Sequence, residues 1–238
     1  MLCFSRNDIE RISRGIIDEY RRLPELQGMS ITKIDPRLLA ENLLGLTLDF
    51  VHLSLTGDTL GLTCLEETGV EVYDEADQPY LYMLDGNTIL VEADLRSGCE
   101  RMGRCNFSVM HEASHQLFGK LYPEEYGPGR KGRLHYYKPQ QNRNTVKNWE
   151  EWQANTLASA LLMPEDILRS NMRMFGLGER IEVLNSRYRQ DEFTYFFLLA
   201  EYMGVSKQAL AIRMKQLDLL DKEYLNRANE MFAVYKED

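Results

Sequence analysis

Residues 107–119 read FSVMHEASHQLFG, and inside them His111, Glu112 and His115 stand in the order HExxH. On a helix, residues four apart lie one turn above each other, so the two imidazoles point the same way and can share one metal ion. Glu112 then lies beside the ion rather than on it, where its carboxylate can take a proton from a water molecule. Two neutral imidazoles and one further carboxylate would leave an open fourth position, which makes zinc the expected ion and a hydrolase the expected chemistry.

The flanking residues support a helix. Asn106 is placed as its N-cap, Phe107, Met110, Ser114, Phe118 and Leu121 form a helical stripe that includes His111, and Gly119 offers a stop. Two histidines on or beside a buried face need a partner, and a shared cation supplies one.

Composition narrows the class. The chain has 238 residues, 44% of them apolar and 27% charged, as expected of a globular protein with a sizeable core. A net charge of −9 argues against a general nucleic-acid binder, which needs clustered positive charge. The N-terminal MLCFSRNDIERIS lacks a signal-peptide core, and apolar runs such as 195–200 are far too short to span a bilayer. A cytoplasmic location with no membrane partner is therefore expected. Cys3, Cys64, Cys99 and Cys105 show no CxxC pairing and read as small apolar residues.

Periodicity organises the rest. Ile9, Ile12, Ile16 and Tyr20 predict an amphipathic helix over 5–23, closed by Pro24, and Asp35-Pro36 opens a second helix that stops near Gly45. From Leu46 the period changes to two: LTLDFVHLS, GLTCL, GVEVYD and NTILVEADL predict a small, largely antiparallel sheet, with His52 as a structural strand residue. The polar segment 123–145 argues against regular structure, and its Arg130, Lys131, Arg133, His135, Tyr136 and Tyr137 could cover a cleft. The fold class is α+β.

A third ligand is still required. The stretch VKNWEEWQANTLASALLMPE predicts a helix ending before Pro164, on which Glu151, Ala154, Asn155, Ala158 and Leu162 share a face. A carboxylate on that packed face is costly unless it meets a cation, which points to Glu151. Glu150 shares a face with Ala154, Leu157 and Leu161, so periodicity alone leaves both open. Phe118 and Leu121 stand where an extended HExxHxxGxxH motif would need Gly and His, so the third ligand does not lie on the first helix.

The pairing of FSVMHEASH with EEWQANTLASALLMP resembles the ImmA/IrrE family of bacterial metallopeptidases, over about the middle half of the chain. The resemblance implies a zincin-like domain in which His111, His115 and Glu151 hold zinc, Glu112 is the general base, and Asn155 matches the Asn that follows the ligand. Ser114 stands where the family usually has Gly, and Leu157 where it usually has Phe. The family typically cleaves a cytosolic transcriptional repressor, on stress or mobile-element signals, which makes a repressor the expected protein partner.

Farther on, Ala200, Gly204 and Leu210 have helix-turn-helix spacing, with Val205-Ser206 at the turn, and the family resemblance extends to this segment. Lys207, Arg213 and Lys215 make a weak basic face, so packing or contact with a protein is favoured over direct DNA binding. Residues 219–238 read as a further polar helix. The expected organisation is a zincin-like metallopeptidase domain with its leading helices over 1–175 and a helical segment over 176–238. A non-catalytic regulator with the same fold is the alternative from another class, and an aminopeptidase a weaker one.

Overall fold

The computed structural model describes residues 3–96, 102–128, 134–138, 149–187 and 189–225. Arg130, Lys131, Arg133 and Cys99 lie outside them. The chain separates into two compact units, 1–162 and 163–238, and the fold is mixed α+β.

The first unit opens with helix α1 (Arg6–Tyr20). Ser5 caps it through a capping box in which Ser5 and Asp8 satisfy each other's backbone N–H, an arrangement that contributes about 1 kcal/mol. Asp35 caps the short α2 (Pro36–Leu38) by accepting from the N–H groups of Arg37 and Leu38. This helix widens into a π turn at Leu39–Leu43 and ends at Gly45, whose φ of +65° suits a residue without a side chain.

Strands β1 (Thr47–Val51), β2 (Gly61–Cys64), β5 (Thr88–Glu92) and β6 (Leu134–Tyr137) form one sheet in the order β1-β5-β2-β6. The sheet is mixed, because β1 runs parallel to β5 while β2 is antiparallel to both of its neighbours. Strands β3 (Glu67–Tyr73) and β4 (Pro79–Asp85) form a separate antiparallel hairpin.

The core has two layers, one on each side of the sheet. Ile89, Val91 and Leu60 pack with Val109 and Ala113 of helix α3 (Met102–Leu121). Leu90, Leu62 and Cys64 pack with Val70, Val72 and Leu84 of the hairpin. Both faces of β2 and β5 are therefore covered, and every residue of both strands is buried.

Helix α3 is buried at every position from Ser108 to Gly119. It differs from the expected helix in three ways. Asn106 lies inside it rather than at its cap, the helix passes through Gly119, and Leu121 is exposed rather than on a buried stripe. Gly119 serves close packing: a Cβ there would lie 2.6 Å from a methyl group of Leu65. The segment beyond α3, read as irregular, contains α4 (Pro123–Tyr126) and β6. Pairing with β2 gives β6 its order, a cause outside its own residues. Helix α5 (Trp149–Leu162) packs against both α3 and α1, with Ala154 and Ala158 fully buried.

The second unit contains α6 (Glu165–Met174), β7 (Ile181–Leu184), α7 (Gln190–Tyr202), α8 (Lys207–Gln216) and β8 (Leu220–Glu223). Helices α7 and α8 meet at Gly204, whose φ is +64°, and Ser206 caps α8 through the N–H of Ala209. Where a polar helix is expected from Leu219, β8 pairs in parallel with β7; residues 226–238 lie outside the described ones.

Arg213 of α8 is fully buried, and its Nε–H donates to the carbonyl of Met163 at 3.0 Å. Arg213→Ala should leave that carbonyl unpaired and open a cavity, lowering stability by about 3 kcal/mol or more. Urea unfolding monitored by circular dichroism measures the loss.

Candidate metal centre

The site is built from three elements. Helix α3 supplies His111, Glu112 and His115, α5 supplies Glu151, and β6 brings His135 and Tyr137 to the same place. His111 and His115 are shut in, at 0% and 4% side-chain exposure, while Glu151 keeps 29%.

The three candidate ligands converge. The Nε2 atoms of His111 and His115 are 3.2 Å apart, and the Glu151 oxygens lie 3.2 Å from the first and 3.3 Å from the second. One donor atom from each residue falls within 4.8 Å of the others, the set needed to hold one cation. Glu151, rather than Glu150, reaches both rings, so tertiary packing separates the two candidates that periodicity could not.

Proton inventory supports a cation. The Nδ1–H of His111 donates to Oδ1 of Asn155 at 3.1 Å, which leaves Nε2 as the nitrogen facing His115 and Glu151. Burial, and then the neighbouring His135, push the His115 imidazole down to about 3, so this ring is neutral and offers a lone pair. Burial works against the charge of Glu151, but the surrounding imidazoles of His111, His115 and His135 outweigh it and hold this carboxyl well below its usual range. Two imidazoles and an ionised carboxylate pointing at one enclosed spot fit a divalent ion.

Glu112 has a different environment. It is fully buried, and neither carboxylate oxygen has a hydrogen-bond partner among the described residues. Burial, with the charge of Glu151 adding to it, raises its pKa well above the usual carboxylate value. A carboxylate of raised pKa beside a ligand set is equipped to accept a proton and return it.

Strand alternation sorts the three aromatic candidates of β6. The His135 ring stacks on His115 at 3.8 Å between centroids, with its Nδ1 3.7 Å from Glu151, and the Tyr137 ring lies 4.4 Å from His111. Tyr136, on the opposite face, is exposed. His52 stands apart, bonded through Nδ1 to the buried Glu92 at 2.9 Å, in the structural role expected of it.

The sequence reading passed over the contact between α3 and β2. Glu112 lies against Gly61, Gln116 donates to Thr63 Oγ1 at 2.8 Å and to the Cys64 carbonyl at 2.9 Å, and Gly119 lies against Leu65. The glycine in GLTCL was the available signal, since a strand glycine often marks close approach of another group.

Loaded with zinc and dialysed, the protein should retain about one ion per chain. Glu151→Gln should lose the ion and Glu150→Gln should keep it, while Asn155→Ala should bind it roughly 10–100-fold more weakly. Elemental analysis and competition with a chromogenic chelator check all three; full retention by Glu151→Gln would remove that carboxylate from the site.

No curated protein matches the chain. The family model of the IrrE N-terminal-like domain, Peptidase M78, matches residues 77–215, a span that contains α3, β6, α5 and α7. With the model covering more than half of its length, the chain belongs to the IrrE N-terminal-like family of metallopeptidases.

Proposed function

We propose that the protein is a zinc-dependent endopeptidase that hydrolyses a peptide bond in a cytosolic transcriptional repressor, with Glu112 as general base. The observation that carries this reading is the convergence of His111, His115 and Glu151 beside a buried carboxylate without a hydrogen-bond partner among the described residues. Family membership supports the reaction class, and the family resemblance supports the repressor as substrate.

When bound, the ion would supply Lewis-acid polarisation of the peptide carbonyl and a water molecule of lowered pKa. Glu112 takes a proton from the attacking water as its oxygen adds to the carbonyl carbon. The same carboxyl then delivers that proton to the amide nitrogen, the C–N bond breaks, and the amine leaves. His135 and Tyr137, turned to this face by β6, are the candidates for stabilising charge on the carbonyl oxygen. Asn155 holds His111 in the tautomer that this chemistry needs.

Direct DNA reading by α8 has little support. Arg213 is buried, Lys207 sits over the Phe197 ring at 3.5 Å, and Lys215 pairs with Glu223 at 3.3 Å. All three cations of that helix are engaged within their own unit.

Glu112→Gln should retain the ion yet lower turnover by about 10²–10⁴-fold. The check is mass spectrometry of a proteome-derived peptide library and of candidate repressors, each incubated with zinc-loaded wild type or variant. Equal cleavage by Glu112→Gln would refute the general-base assignment and with it the proposed mechanism.

A further inference from the structure

Glycine at position 61 is not explained by its backbone. Gly61 lies in β2, paired with Val91 on one side and Tyr137 on the other, and its φ lies outside the positive range that favours glycine. Any residue can adopt such a conformation. What a side chain would meet is Glu112: a Cβ on Gly61 would lie 2.6 Å from Oε1, 2.9 Å from Cγ and 3.1 Å from Cδ. The obstruction involves most of the Glu112 side chain, which is itself fully buried.

The helix is also prevented from sliding away. One turn on, Gln116 is bonded to Thr63 and to the Cys64 carbonyl, so the register of α3 on β2 is set by polar contacts. With helix and strand both held, only the Glu112 side chain can yield.

We propose that Gly61 is a positioning residue: the volume left by its missing side chain is the seat of the Glu112 carboxylate and fixes where that carboxylate meets its water. The catalytic half of this proposal rests on the peptidase reading; the steric half does not. Gly61→Ala would turn the carboxylate away while leaving His111, His115 and Glu151 in place. A misplacement on the ångström scale is enough to cost about 100-fold in rate.

The test combines a mutant cycle with kinetics. Gly61→Ala is made in the wild-type, Glu112→Gln and Glu112→Ala backgrounds, and thermal unfolding is followed in chelator-treated and zinc-loaded protein. Overpacking should lower the midpoint by roughly 3–10 °C in the wild-type and Glu112→Gln backgrounds, where a full-length side chain fills the seat. In the Glu112→Ala background the same substitution should cost nothing. If Gly61→Ala fails to fold alone, the double variant with Glu112→Ala should fold as Glu112→Ala does. An equal cost in all three backgrounds overturns the proposal.

Zinc-loaded Gly61→Ala should hold as much metal as wild type, with KM within about twofold and kcat lowered about 100-fold. Unchanged kcat overturns the positioning role even if the unfolding cycle shows coupling. Should wild type cleave nothing, the peptidase reading fails, and the unfolding cycle still decides whether Gly61 seats Glu112.

Discussion

Two imidazole nitrogens 3.2 Å apart, with a carboxylate within 3.3 Å of both, make a cluster that water cannot fully solvate. Asn155 fixes one ring with Nε2 turned inward, and burial keeps the other ring neutral, so electron-rich atoms converge beside a carboxylate. A cation relieves that arrangement, and the surrounding architecture holds the three groups together. The sheet backs α3, the alanines of α5 let it pack closely, and β6 covers the rings with His135 and Tyr137.

Much of the site was legible because its spacing is local. The His pair needs four residues of helix, and HExxH states that directly. The face of α5 that carries Glu151 was also readable, but its rivalry with Glu150 was not resolvable, because both carboxylates fall next to packed positions on a helix whose residues are buried on nearly all sides. Tertiary contact with α3 decided it. Gly119 misled for a related reason: glycine at a helix end and glycine at a tight helix crossing look alike in one dimension.

The sheet and the second unit show where local reading stops. Strands β1, β2, β3 and β5 were visible by their period, whereas β4, which brings Leu84 to the core, was not read, and parallel pairing of β1 with β5 depends on chain path, which alternation does not encode. β6 has a polar neighbourhood and is ordered by β2, and β8 by β7. In α8, Arg213 counted as a surface cation by its type but is an interior donor to a carbonyl. Charge tallied along a helix therefore overstates the field that the helix presents outside.

The unequal exposure of the ligands bears on how an ion would come and go. Both imidazoles are sealed, whereas Glu151 retains 29% of its side-chain surface. The solvent-facing member of the triad is thus its negatively charged one, at the first turn of α5. On exposure alone, an arriving cation would meet the carboxylate before either nitrogen, and a departing one would leave it last. The same carboxylate would then bear both on how tightly the centre holds an ion and on how quickly an ion enters or leaves it.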